Sequence, residues 1–492
     1  MNYVSTRNNH PAVQSSQAIN LGMVPSGGLF VPETIPQLSI NDCIGKSYTA
    51  TAEQVLAPLL DDFSSKEIKD CVALAYDNSF DVPDVINLSK VSPDSWVLEL
   101  WHGPTAAFKD VALQIMPHFM RYSKQKNSER RHTLIMVATS GDTGKAALEG
   151  FKDCEGISIV VFFPHGGVSE VQKLQMLTTS GNNTSVIAVE GNFDDCQSSV
   201  KELFSDKQLR EKAQRKGVAF SSANSINWGR LCPQIVYYVK AYASLVEKGE
   251  VAVGESIDFC IPTGNFGNIL AGYYAQKMGL PIRKLICASN KNNVLTDFFK
   301  TGHYDRNRQF HRTMSPSMDI LISSNLERFL FEMTGHNADK VLKWYNQLQD
   351  RGEFKVDEET FETMRAVIEA SWVDEPAVLE TIGEVYKQSG YVLDTHTAVA
   401  FAASRKVKKD AVPVIIASTA SPFKFSGDVL QGLNKGEAAE DEFESVRKLH
   451  ELSKMNIHRA VDGLKEKRIN HGLVISKGEM GKVVEKIVSE IV

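Results

Sequence analysis

Three segments of the chain repeat one pattern. Each has a short run of β-branched and other apolar residues, followed by a turn of glycine or small polar residues. In "HTLIMVATSGDTGKAALEG" residues 133–138 predict a buried strand, 139–144 a turn, and Lys145 onward a helix. In "SIDFCIPTGNFGNILAGYYAQ" the strand is 257–261, the loop 262–268, and a helix starts at Ile269. In "VPVIIASTASPFKF" residues 412–417 form the strand and 418–425 the turn. Further strands are predicted at 157–163, 186–189, 284–288 and 97–99, with amphipathic helices between them such as 234–249. Strands alternating with helices build βαβ units and mostly parallel sheets. Ligands of such sheets sit beyond the carboxyl ends of the strands, and all three small-residue turns lie at that edge.

The two ends of the chain read differently. Residues 1–95 are acidic and helix-like, and "PSGGLFVPETIP" places two turns around a short strand, so they predict a separate N-terminal domain. The body divides into α/β lobes at 96–235 and 236–432. Residues 433–492 predict a helical extension packed on the body, with Met480, Val483, Val484, Ile487, Val488 and Ile491 as its docking stripe.

Composition narrows the function classes. The 492 residues are 42% hydrophobic and 23% charged, as in ordinary globular domains. A net charge of -6 gives no basic footprint for nucleic acid. The seven cysteines form no CxxC motif and no histidine pair has metal spacing, so we expect no metal and a reducing cytoplasmic setting. The N-terminus lacks an apolar signal core, and the most apolar run, "ISIVVFFP", is too short for a bilayer, so no membrane partner is expected.

Candidate chemistry begins with "WHGPTAAFKDVALQIMPHFM" (101–120), in which Lys109 is the one lysine among apolar residues. Thr105 is a plausible N-cap, with a helix from Ala106 onward. A lysine in the first turn of a buried helix suffers desolvation and faces the positive dipole end, and both favour the neutral amine. Such an amine is the nucleophile that forms imines with carbonyl cofactors. Lysines more often lie with their stems on apolar surface and their heads in water. His102 either orients a cofactor or fixes the turn. "PTGNFGN" puts a Gly-x-x-Gly loop at a helix start, which suits phosphate; a ligand-free glycine turn is the alternative. It matches neither the Walker loop nor the dinucleotide fingerprint, which disfavours a nicotinamide enzyme. "TSGDTG" (139–144) offers hydroxyls and N–H groups suited to a carboxylate, or is simply a tight strand-to-helix turn. Thr419 stands at a strand end, able to hydrogen-bond a ring nitrogen. Together these describe the needs of pyridoxal phosphate holding an amino acid.

"HGPTAAFKD", "ATSGDTG", "PTGNFGN" and "STASPFKF" resemble the threonine synthase family, pyridoxal-phosphate enzymes of the tryptophan-synthase-β-like fold (fold type II). "GGLFVPE", "NSINWGR", "SPSMDI" and "GLKEKRINHGLVISKGEMGKVV" extend the resemblance over the whole chain. It implies two open parallel-sheet lobes. It implies Lys109 as the Schiff-base lysine and the acid/base at the substrate carbons. Gly264, Asn265, Phe266, Gly267 and Asn268 would hold the cofactor phosphate, with Thr419 facing the pyridine nitrogen. Ser140, Gly141, Asp142 and Thr143 would hold the substrate carboxylate. The implied substrate is O-phospho-L-homoserine, and the products are L-threonine and phosphate. Arg230, with Asn224, Ser225 and Asn227, is the candidate reader of the substrate phosphate, since arginine matches phosphate bidentately. A helix-start arginine capped by Asn and Ser is the competing reading. A related phospho-lyase, releasing 2-oxobutyrate, ammonia and phosphate, shares these motifs.

Overall fold

The computed structural model describes every residue except 140, 167, 409, 435–440 and 492. Its larger sheet has six strands, in the order Ile368–Trp372, Ile282–Ser289, Ile257–Pro262, Val414–Ser418, Ser95–Glu99 and Asn87–Ser92. All neighbours are parallel except the last two, which form an antiparallel hairpin. The smaller sheet is wholly parallel, in the order Leu473–Ser476, Thr184–Glu190, Ile157–Pro164, His132–Ala138 and Val218–Ser221. Every residue of Ile257–Pro262 and of Val414–Ser418 is buried. That is what parallel strands covered by helices on both faces require, and why they read as unbroken apolar runs.

The N-terminal unit pairs Tyr3–Ser5 with Phe30–Pro32 and adds the helices Ser15–Leu21, Tyr48–Leu59 and Ser65–Tyr76. The last of these opens on a capping box between Ser64 and Glu67.

Three expectations change. The strand Ser95–Glu99 pairs with Val414–Ser418, so the expected lobe 96–235 gives its first strand to the larger sheet, and the boundary at 95/96 cuts a hairpin. The tail is not helix alone: Leu473–Ser476 adds an edge strand beside Thr184–Glu190. The final helix, Met480–Glu490, then buries Met480, Val484 and Val488 among Leu134, Phe162, Val189 and Leu203. Third, the helix Pro233–Glu247 is not amphipathic in place, since every residue from Pro233 to Ala243 is buried. It is wedged between Tyr48–Leu59 and Gly267–Lys277. Lys240 is tolerated there because its ammonium donates to the Lys46 carbonyl at 2.7 Å and pairs with Asp84 at 3.1 Å.

Candidate active site

The turns after Ser95–Glu99, Ile257–Pro262 and Val414–Ser418 meet those after His132–Ala138 and Val218–Ser221. Lys109 stands where they converge. Its side chain is only 13% exposed, with Nζ 3.7 Å from Asp142 and 5.7 Å from the centroid of the Phe108 ring. Its turn is held against the larger sheet: Phe108 N–H donates to the Thr419 carbonyl at 2.9 Å, and Ala107 bridges Ala420.

The expected cap at Thr105 is corrected. Thr105 donates its N–H (2.8 Å) and hydroxyl (2.7 Å) to the carboxylate of Asp110, so residues 103–108 stay unwound and the helix is the short Lys109–Leu113. Gly103 makes room for this, because a Cβ there would lie 2.4 Å from the Asp110 Cβ. Burial raises the Asp110 carboxyl to about 6, against the pull of the Thr105 hydrogen bonds.

Burial is also the main force on Lys109. It is opposed by Asp142 and assisted by the cations Lys424 and Arg230, and the amine falls to about 8. Lys424, fully buried, was missed in the sequence. It pairs with Asp142 at 2.5 Å and donates to the Thr105 carbonyl at 3.2 Å. Burial pushes the Asp142 carboxyl up, but Lys424 and Lys109 outweigh it and hold the group far below the usual carboxylate range. Gln172 donates to the same carboxylate at 2.9 Å and Ser317 at 3.2 Å. Asp142 is therefore a structural anion rather than a ligand for another carboxylate. Ser140 lies outside the described residues. The Gly141 N–H is already bonded to Thr139 Oγ1 at 3.0 Å, which leaves the N–H groups of Asp142 and Thr143 as that turn's unpartnered donors among the described residues.

The turn 264–268 has the opposite character. Among the described residues, none of its backbone N–H groups has an acceptor. Phe266 takes the left-handed conformation (φ 62°), while Gly267 needs no such φ. The Phe266 ring turns into the core against Phe299 and Phe329, so only its backbone faces the site. Gly264 is required for close packing, since a Cβ would lie 2.8 Å from the Ser317 carbonyl oxygen. Asn268 accepts from Tyr237 (2.6 Å) and Tyr238 (2.7 Å), which aims its buried amide N–H₂ elsewhere, without an acceptor. A ring of donors lacking any acceptor fits a phosphate.

The segment 224–230 divides. Asn227 is fully occupied: it accepts from Gly229 N–H at 2.9 Å as a helix cap and donates to the Ile19 carbonyl at 3.1 Å. It is corrected from ligand to cap. Ser225 accepts from Asn325 at 2.8 Å and lies against Gly267, on the side of the turn 264–268. The Asn224 side chain makes no hydrogen bond among the described residues. Arg230 is buried and its guanidinium has neither a hydrogen bond nor an ion pair there. Burial lowers it to about 10 despite Tyr237 and Asp110 nearby. A desolvated cation without a partner is a site waiting for an anion. Thr419 is buried with its hydroxyl unpartnered among the described residues. His102 fixes the turn: Nδ1 meets Asp81 at 2.7 Å and Nε2 meets Glu99 at 2.9 Å, leaving no ring nitrogen for a cofactor. Lys424 carried the same signal as Lys109, a lone lysine in an apolar run. Ser317 is marked only as part of the family-like SPSMDI, and Asn325 carries no signal, because only the fold brings them here.

A model of the pyridoxal-phosphate-dependent enzymes matches residues 85–418, and that is the class the fold and site define. Models of the threonine synthase N terminus and C-terminal region match 2–76 and 397–464. The threonine synthase of Pseudomonas aeruginosa is 40% identical over 430 residues, covering 86% of this chain and 89% of its own. The structure of a PLP-bound threonine synthase from Brucella melitensis superposes with a TM-score of 0.88 at 36% identity, covering 100% of this chain and 99% of that one. The chain belongs to the threonine synthase family. Human threonine synthase-like 1 is 42% identical over 431 residues, 85% of this chain, and the chain spans 58% of that relative's length.

Proposed function

We propose that the protein is a threonine synthase: with pyridoxal phosphate it converts O-phospho-L-homoserine and water to L-threonine and phosphate. The carrying observation is Lys109, a buried amine near Arg230 and linked through Asp142 and Ser317 to the turn 264–268, two anion sites unpartnered among the described residues. Lys109 holds the cofactor. Gly264, Asn265, Phe266 and Gly267 offer backbone N–H groups to its phosphate, and Asn268 adds its amide. Thr419 offers a hydroxyl to the ring nitrogen, without the charge that would enforce a pyridinium. The bound cofactor supplies the electron sink that lets carbons near the substrate's amine lose protons. Lys109, lowered to about 8 and so readier than an ordinary lysine to give up its proton, takes and returns those protons. Asp142 and Thr143 N–H groups receive the substrate carboxylate, and Arg230 with Asn224 receives its phosphate. Phosphate leaves from the γ-carbon and water adds at the β-carbon.

Both anions enter a site where Lys109, Lys424 and Arg230 outnumber Asp142, which favours a doubly charged substrate. The seven free cysteines support a cytoplasmic setting. Among the described residues no helix is long and apolar enough to cross a membrane. Incubating the purified holoenzyme with O-phospho-L-homoserine tests the reading. Threonine and phosphate in equal amounts are expected. Formation of 2-oxobutyrate and ammonia instead would make it the related phospho-lyase.

A further inference from the structure

Arg328 is among the largest fully buried side chains and makes no ion pair among the described residues. Its donors go to uncharged oxygens from three separate segments. Nε donates to the Phe30 carbonyl at 2.8 Å, and Nη1 to the Ser225 carbonyl at 3.2 Å and Asn325 Oδ1 at 2.7 Å, while Nη2 reaches the Ile226 carbonyl. Asn325 continues the chain of contacts. Its amide donates to Ser225 Oγ at 2.8 Å and to the Asn265 carbonyl at 3.2 Å, and its N–H donates to that same carbonyl at 3.1 Å. One guanidinium thus ties the N-terminal unit, the segment that carries Arg230 and the turn 264–268 together. The two site segments are in contact there, since a Cβ on Gly267 would lie 3.1 Å from the Ser225 Cβ.

We propose that Arg328 is a positioning residue that sets the spacing between the turn receiving the cofactor phosphate and the segment receiving the substrate phosphate. The inference rests on the assignment of those two segments above. Two dianions held side by side repel each other more strongly the closer they come, so the gap between their sites must be both short and fixed. A planar, five-donor fork fixes two stretches of backbone and the Asn325 side-chain amide at once, which an ammonium cannot do. Because its acceptors are carbonyls, the charge of Arg328 is not cancelled and adds to the positive field of the site. The N-terminal unit joins this network through the Phe30 carbonyl.

The test compares the holoenzyme with Arg328→Met, Arg328→Lys and Asn325→Ala. Cofactor affinity is read from visible absorbance, and KM, kcat and inhibition by inorganic phosphate are measured at saturating cofactor. Misplacing a phosphate site by about 1 Å is expected to raise both the cofactor Kd and KM by about tenfold or more in Arg328→Met. The kcat should change much less, and inorganic phosphate should inhibit more weakly. Lysine should not rescue, and Asn325→Ala should shift the same two constants in the same direction by less. If the variants only melt earlier and keep both constants within about twofold, Arg328 is structural and the inference is wrong. Should Arg328→Met fail to fold, Asn325→Ala decides alone by the same criterion. A parent protein that binds no cofactor would remove the assignment of the segments and this inference with it, whereas a normal parent with unchanged variants removes the inference only.

Discussion

Arg230 is a buried cation with neither a hydrogen bond nor an ion pair to its guanidinium among the described residues. If its partner is the substrate phosphate, Arg230→Ala should leave the cofactor's visible band intact. It should lower kcat/KM for O-phospho-L-homoserine by about one to two decades, the worth of a charge-assisted hydrogen bond. The thermal midpoint should hold or rise, because the variant removes an uncompensated buried charge; a fall in midpoint with normal kinetics would make the residue structural. His102 offers the opposite case, a charge already paired. Burial depresses it, but Asp81 and Glu99 more than offset that and lift it to about 9. Its stabilising contribution is complete below the unfolded value near 6.5 and is lost as pH rises through about 9. Relative to His102→Gln, the parent should therefore be more stable by about 1–3 kcal/mol near pH 6, the part-exposed Asp81 reducing the figure, and this advantage should vanish by about pH 10 in denaturant titrations. Lys109 was readable in the sequence because a lone lysine among apolar residues is a contradiction that folding must resolve. Lys424 posed the same contradiction. Arg328 and Asn325 posed none, since their meaning lies in which carbonyls the fold brings to them.

The parallel strands declared themselves as apolar runs because both of their faces are covered. Leu473–Ser476 did not, because Leu473 and Val474 remain exposed and the strand exists only by pairing with Thr184–Glu190. The helix Pro233–Glu247 misled in the other direction: its sequence predicts an amphipathic helix, yet its tyrosines and Lys240 each hide an apolar body and pair a polar tip. The helix at Lys109 starts later than its sequence suggests because Asp110 takes the donors of Thr105. At the far end, the helix Met480–Glu490 depends on one stripe. Val484 is fully buried in it, so Val484→Asp should cost about 3 kcal/mol or more through lost apolar burial and an unpaired buried carboxylate. The visible cofactor band should survive at temperatures where the variant is folded. A melting curve equal to the parent's would show that the stripe contributes no stability.

Five turns from two sheets make the site, so whatever binds there fastens the lobes to each other. Cofactor at about a hundredfold excess over its Kd should stabilise the protein by about 2.7 kcal/mol, seen as a higher thermal midpoint. Inorganic phosphate should add a second increment that Arg230→Ala abolishes while leaving the first. Equal shifts in parent and variant would place that anion elsewhere. The order of strands in the sheets has one more consequence. Ser95–Glu99 finds its parallel neighbour only in Val414–Ser418, and Thr184–Glu190 receives its outer neighbour only from Leu473–Ser476. On the ribosome, then, the turn bearing the lysine is made early and waits, its sheet unfinished, while most of the chain is translated. Its edge at Ser95–Glu99 stays open to wrong partners throughout that time. The Thr419 carbonyl that meets the Phe108 N–H, and the Lys424 ammonium beside Asp142, come only with that late strand and its turn, so the site is incomplete in every shorter nascent chain.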